Sequence, residues 1–135
     1  MDIFYYKESL EYAEDYYKKA LDYFMELKDL THIGNIYDGL SYCYILQSKY
    51  IQAQMFAEKS LAIQEYDCPN KHCNYISSLL GQGDYDEASR FFAKQGDKCK
   101  ILEQIIKDYN NEFVQLNISL DLFDRFIMEH SASKL

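Results

Sequence analysis

One frame of small side chains recurs three times along the chain and limits what the chain can fold into. It reads LEYAEDYYKKAL, YIQAQMFAEKSL and DYDEASRFFAKQ, and it is anchored on Ala13, Ala53 and Ala88. The anchors lie 40 and then 35 residues apart, a period typical of helical repeats that stack side by side. The recurrence therefore predicts an array of antiparallel helix pairs rather than one isolated helical hairpin.

The stretch from 35 to 64 indicates how such helices would pack. One helix presents large side chains and the next presents small ones, at helical offsets. The large set is Tyr37, Leu40 and Tyr44, and the small set is Ala53, Ala57 and Ser60. Two helices joined by a short turn approach closely where one of them carries small residues. We therefore expect the large side chains of the first helix to pack onto the small ones of the second.

Length and composition favour one all-α domain. The chain has 135 residues, which is enough to bury a core, and 48% of them are apolar. Five glycines and one proline are too few for the many turns of an all-β fold. Periodicity predicts about seven helices, over residues 3–28, 33–46, 50–66, 71–81, 86–94 and 98–109, and from a cap at Asn110 or Asn111 to 129.

The net charge argues against nucleic acid as a partner, and the lack of membrane-spanning and secretory patterns favours the cytoplasm. The formal charge is −8, from 22 acidic and 14 basic residues, and no basic cluster reverses it locally. Such a chain is a poor match to a phosphate backbone, so direct nucleic-acid binding is not expected. The sequence contains no apolar run long enough to span a membrane, and its first residues lack the pattern of a secretory signal. We therefore expect a cytoplasmic protein whose four cysteines are free thiols.

The residues that carry chemistry do not form a familiar site. The segment CPNKHC places Cys68, His72 and Cys73 close together, and Cys99 follows later. Zinc sites usually pair cysteines as C-x₂-C, so free thiols are a better interpretation than a metal site. The three histidines are scattered, and neither a nucleophile motif nor a phosphate-binding loop occurs. The sequence predicts no enzymatic activity, no cofactor and no metal.

Two segments resemble the tetratricopeptide repeat (TPR), whose signature is W-x₂-L-G-x₂-Y followed by A-x₃-F. The segment YDGLSYCY carries Tyr37 at the Trp position and Ser41 at the Gly position, and Ala57 replaces the aromatic residue. The segment GDYDEA, from Gly83 to Ala88, has the common form of the turn between the two helices of a TPR. The resemblance divides a single TPR-like domain into a half-repeat 1–30, repeats 31–68 and 69–96, and C-terminal helices 97–130.

The resemblance also implies a binding groove. In TPR arrays the first helices of successive repeats line a concave groove that holds an extended peptide. By that likeness the groove-facing residues of the first full repeat are Asn35, Asp38, Tyr42 and Ile45. Many TPRs have a peptide-clamping Asn just before the Leu-Gly pair, where this chain has Asn74 in one repeat and Gly39 in the preceding one. The alternative for each polar residue is a solvated or locally capping side chain.

The segments ELKDLTHIGNIYDGLSYCY and YIQAQMFAEKSLAI are most similar to the TPRs of Gram-positive peptide-pheromone receptors of the Rap, PlcR and arbitrium types. That similarity implies an adaptor that binds a peptide or protein segment, as the sensor region of a quorum-sensing-type regulator. The effector parts of those regulators, a helix-turn-helix domain or a three-helix bundle, are not visible in the sequence. The alternative function is a structural oligomerisation module without a peptide ligand.

Two broad apolar faces predict a homodimer. The last helix carries a stripe of Phe113, Leu116, Leu120, Phe123 and Ile127, widened by Val114, Ile118, Leu122 and Phe126. The first helix carries Tyr6, Leu10, Tyr17, Leu21 and Phe24 on one side and Ala13 and Ala20 on the other, where we expect no upstream helix to cover the alanines. Either face packs within the chain or meets a second copy. The last helix is slightly favoured over the first as the contact.

Overall fold

The computed structural model describes residues 3–115 and 121–130, and the regular elements in these ranges are all helical. The helices are α1 (Ile3–Leu27), α2 (Leu30–Leu46), α3 (Tyr50–Leu61), α4 (Asn70–Gly81), α5 (Tyr85–Ala93), α6 (Cys99–Gln115) and α7 (Asp121–His130), with a 3₁₀ turn at Gly96–Lys98. The predicted all-α class is confirmed. None of the helices described combines the length and the apolar character that crossing a membrane requires.

Local signals explain several helix ends. Asp29 and Asp84 cap α2 and α5, because each side chain accepts a hydrogen bond from the backbone N–H three residues further on. Pro69 stands directly before α4, where a proline ring is compatible with the start of a helix. Gly83 has φ +84°, a left-handed conformation that glycine adopts without strain in the turn before α5.

Three predicted helix boundaries are wrong. The second helix begins at Leu30 rather than at 33, and the third ends at Leu61 rather than at 66. The predicted cap at Asn110 or Asn111 does not exist, because α6 continues through both residues to Gln115. The Asn110 amide instead donates to Asp124 Oδ1 of α7 at 3.2 Å, so a tertiary contact replaces the local capping role. Three residues of the predicted stripe, Leu116, Ile118 and Leu120, lie outside the described residues.

The close approach predicted for α2 and α3 is confirmed. Ala53, Ala57 and Ser60 are completely buried, which is what a close approach of two helices requires. Ser41 Oγ of α2 donates to the Ala53 carbonyl oxygen at 2.7 Å, and Ser60 Oγ of α3 donates to the Gly34 carbonyl oxygen at 2.9 Å. Small side chains therefore let each helix contact the other's backbone directly.

The helices pack in a stepwise array. Each of the first four packs against the next, and α2 also packs against α4, as α4 does against α6. The helices α2, α4 and α6 thus form one row, and α3 packs against both α2 and α4. This arrangement is consistent with a superhelix of helix pairs. The helix α7 closes the C-terminal end by packing against α4, α5 and α6.

The two apolar faces differ in their burial. The stripe predicted for the last helix is divided between α6 and α7, and Phe113, Phe123 and Phe126 are at most 2% exposed. These three side chains therefore pack within the chain's own core. On α1 the predicted inner side is confirmed, since the four members described pack against the core: Leu10, Tyr17, Leu21 and Phe24. The Tyr6 side chain is outside the description.

Candidate functional site

A buried hydrogen-bonded network joins α2, α4 and α6. At its centre Asn74 of α4 is 1% exposed, and its amide nitrogen donates to the Asp38 backbone oxygen at 3.1 Å and to the Asp38 carboxylate. The Asn74 amide oxygen accepts a hydrogen bond from Tyr109 Oη of α6 at 3.0 Å. The Asp38 carboxylate accepts a further one from Tyr66 Oη at 2.7 Å. One asparagine thus ties three helices together.

The connection between α3 and α4 brings Tyr66 to this network. Tyr66 packs directly against Gly34, where an added Cβ would stand 2.4 Å from the Tyr66 Cβ. Lys71, which is 6% exposed, donates to the Ile63 carbonyl oxygen at 3.4 Å and to the Tyr66 carbonyl oxygen. Gly34 and Lys71 thus both contact the connection between α3 and α4. Gly34 lies one helical turn before Asp38 in α2.

More accessible polar groups form the edge of the network. Tyr42 is half-buried, and its ring lies with its centroid 4.7 Å from that of Tyr109. The Tyr42 hydroxyl donates to the Glu112 carboxylate of α6. At the other end Asn35 is exposed, with its Oδ1 3.4 Å from Tyr66 Oη. We call Asn35, Tyr42 and Glu112 the rim.

Burial controls the protonation of the network. It raises the pKa of the Asp38 carboxyl, an effect opposed by hydrogen bonds from Tyr66 and Asn74 and by the nearby Lys71 charge. Burial likewise raises the pKa of Tyr66 and of Tyr109, and the negative charge of Asp38 acts in the same direction. Both phenols therefore stay protonated at neutral pH and act as hydrogen-bond donors.

All four residues predicted to bind peptide, Asn35, Asp38, Tyr42 and Asn74, belong to this one network or its rim. The groove-facing position predicted for Ile45 is wrong, because this side chain is completely buried in the core. Asn74 and Asp38 are nevertheless bonded within the chain, so in this conformation only Asn35 and Tyr42 of the four are accessible. The departure at Gly39 has a steric reason, because an added Cβ would lie 2.5 Å from Tyr17 Cζ of α1. An asparagine there would clash with the Tyr17 ring in its present position.

Sequence reasoning missed Tyr66, Tyr109 and Glu112. Tyr66 was assigned to the end of a helix, although it stands three residues before the only proline and could have been placed in a loop. Tyr109 and Glu112 lie far from Asn74 and Tyr42 along the chain. No short-range pattern indicates that pairing.

The cysteines do not gather around a common point in the described residues. Cys73 Sγ donates to the Leu102 carbonyl oxygen at 3.7 Å, and Cys99 Sγ donates to the Phe92 carbonyl oxygen at 3.2 Å. No set of three His, Cys, Asp or Glu side chains in these ranges has the arrangement of a metal site. Cys43 is 5% exposed, and burial raises its pKa to about 11, as expected of a core thiol.

A serine and a histidine meet at the C-terminal end. His130 Nε2 of α7 lies 3.0 Å from Ser89 Oγ of α5, and its ring packs on Phe92 and Phe126. Ser89 is in the interior of α5, where backbone N–H groups are already bonded within the helix. Such a position offers no backbone donors for an oxyanion. The contact is better explained as a link between α5 and α7.

Comparisons with protein-family models, with curated proteins and with solved structures give no match.

Proposed function

We propose that this chain is a helical-repeat adaptor that binds an extended peptide or protein segment along the row of α2, α4 and α6. The observation that supports it is the Asp38–Asn74–Tyr109 network. It joins α2 and α4, the two helices that the TPR resemblance assigns to the groove, to α6. A fully bonded buried network fixes the spacing of the helices that carry it. The accessible rim is then held in place before a ligand arrives, which lowers the entropic cost of binding.

In this proposal the residues have two roles. The rim residues Asn35 and Tyr42 contact the ligand, since an amide offers a peptide bond both a donor and an acceptor. Asp38 and Asn74 position the helices and do not touch the ligand. The carboxylates of Asp38 and Glu112 and the net charge of −8 favour a neutral or basic segment over an acidic one.

The finer proposal concerns biological context. The resemblance to peptide-pheromone receptors of the Rap, PlcR and arbitrium types supports a cytoplasmic sensor region of a quorum-sensing-type regulator. Its ligand would be a short linear peptide.

Calorimetric titration with pools of short peptides, sorted by charge, tests the proposal. We expect binding from neutral or basic pools, and Tyr42→Ala should weaken it by at least about tenfold. Asn35→Ala has a matched control in Gln52→Ala, which removes an exposed amide from α3 instead of α2. Failure of every pool, or equal losses in the Asn35 and Gln52 variants, would contradict the proposal.

The alternative, an oligomerisation module, is favoured by the exposure of one face of α1, described next. It predicts a two-fold dimer through α1. On the last helix, Phe123 and Phe126 are buried and offer no surface to a second copy. Sedimentation equilibrium decides between monomer and dimer.

A further inference from the structure

The outer face of α1 is a stripe of large exposed side chains. Tyr12, Tyr16, Tyr23 and Leu27 are 80%, 64%, 59% and 56% exposed. Their spacings of four, seven and four residues place them in one row on the helix. Single exposed apolar residues are ordinary, but a contiguous row marks an interaction surface. We call these four residues the α1 face.

One border of the α1 face consists of small side chains. Ala13 and Ala20 lie next to this row, on the side toward the core, and are half-buried. Ala20 also touches the core. Small residues beside a row of large ones let the backbone of a second helix come close, as Ala53 and Ala57 do for α2.

The other border is acidic. Glu8, Asp15, Asp22 and Glu26 are all exposed along it. Of the two lysines on this part of α1, Lys19 pairs with Asp15 and Lys18 pairs with Glu14, each at 3.1 Å. The border therefore keeps a net negative charge after its own ion pairs are counted.

The partner must satisfy its own backbone hydrogen bonds. The α1 backbone is bonded within the helix, so it cannot pair with an extended strand or peptide. A partner helix bonds its own backbone internally and needs no backbone hydrogen bonds from α1. The row from Tyr12 to Leu27 is about 22 Å long, the length of about four turns of a partner helix.

From these observations we infer that the α1 face binds an amphipathic helix of another protein, one with an apolar row and with Lys or Arg along one edge. Its apolar row would cover the tyrosines and contact the alanines, while its basic edge would lie against the acidic border. A second copy of this chain fits less well, because it would bring a further acidic border to the contact. This surface is separate from the α2–α4–α6 row.

A designed helical peptide tests the inference on the full chain. The probe is about 18 residues long, with leucines along one row and lysines along one edge. A second peptide has glutamate in place of every lysine, and a third is a scrambled sequence of the first. We expect the lysine peptide to bind at least about tenfold more tightly than either of the others, with weaker binding at high salt.

Variants locate the binding. The triple substitution Tyr12→Ser, Tyr16→Ser and Tyr23→Ser should lower the affinity for the lysine peptide by at least about tenfold. The matched control is Ile51→Ser with Met55→Ser, which removes two exposed apolar side chains from α3 and should leave the affinity within about twofold. All replaced side chains are exposed, so circular dichroism should show unchanged helicity and melting in both variants.

Three results would overturn the inference. The first is equal binding of the lysine and glutamate peptides, and the second is an equal loss of affinity in the α1 and α3 variants. The third is a concentration-dependent dimer that the triple tyrosine variant abolishes, because the occupant of the α1 face would then be a second copy. None of these results depends on whether peptide pools bind at Tyr42, so this inference and the proposed function fail independently.

Discussion

The α1 face and the C-terminal stripe look alike in the sequence and differ in the structure. Both are rows of large apolar or aromatic residues at helical spacing. Phe113 and Phe126 are at most 1% exposed, whereas Tyr12 is 80% exposed. The helices α6 and α7 each pack against several others, whereas α1 packs mainly against α2.

The difference shows that helical period predicts which residues share a face but not what covers that face. Residue type carries more information here. The three buried rings of the C-terminal stripe, Phe113, Phe123 and Phe126, have no polar atom. The α1 face is mostly tyrosine, which tolerates contact with water through its hydroxyl. On these two faces, the rings without a polar atom are buried and the rings with a hydroxyl are exposed.

The largest expected effect is a difference in the free energy of unfolding between variants of the two rows. Phe123→Ala should lower the free energy of unfolding by about 3–5 kcal/mol, because it leaves a cavity beside Phe113, whose ring centroid is 5.1 Å away. Tyr23→Ala on the α1 face should change it by less than about 0.5 kcal/mol. Urea unfolding followed by circular dichroism measures both. Similar losses in the two variants would show that the α1 face is also structural.

A smaller effect compares two copies of the repeated frame. Ala53 is completely buried, so Ala53→Leu should destabilise the chain by about 1–3 kcal/mol through overpacking against α2. Ala13 occupies the same position of the frame in α1 but is only half-buried. Ala13→Leu should therefore cost much less. Chemical denaturation of the two variants in parallel gives the comparison, and an equal cost would mean that α1 is as closely packed as α3.

The smallest expected effect is a difference in how stability depends on pH at two carboxylates, Asp38 and Glu14. Both accept hydrogen bonds from tyrosine. Burial raises the pKa of Asp38, so the native state binds its proton more readily than the unfolded state. Its contribution to stability therefore falls as pH rises from the ordinary aspartate pKa through the raised one. Asp38→Asn should remove that fall, so the variant gains stability relative to the parent as pH rises through this window.

Glu14 should show the opposite slope. Burial acts to raise its pKa, but hydrogen bonds from Tyr44, Lys18 and Gln47 outweigh it, and the pKa is lowered. Its contribution is present above the ordinary glutamate pKa and is lost as pH falls through the lowered one. Unfolding curves of Asp38→Asn and Glu14→Gln, collected at a series of acidic to neutral pH values, should diverge from the parent in opposite senses. Parallel slopes would contradict the assigned environments.

Much of the fold could be predicted from the sequence because its signals are local. The small residues Ala53, Ala57 and Ser60 indicate a close helix pair wherever they recur at helical spacing, and the structure buries all three. The break at Asn110 was predicted from the same kind of rule and failed. Inside α6 the Asn110 amide nitrogen donates to Asp124 of another helix, and local propensity is a weak guide when a tertiary contact competes.

The candidate site was predictable only in part. The resemblance to TPRs selected Asn35, Asp38, Tyr42 and Asn74, and the structure places them together. It could not show that the Asn74 amide is already bonded at both ends, because its partner Tyr109 lies on another helix and 35 positions away along the chain. Long-range partners of a buried amide depend on the packing of three helices, which no short window of sequence specifies.

The claim that the α2–α4–α6 row binds peptide is tested most directly by an amide NMR map. The uniformly labelled chain is titrated with the peptide that binds most tightly in calorimetry. We predict that shift changes cluster on α2 around Asn35 and Tyr42 and on α6 around Glu112, and that Gln52 of α3 does not respond. Changes confined to α3 and α5, or no change at saturating peptide, would contradict the claim.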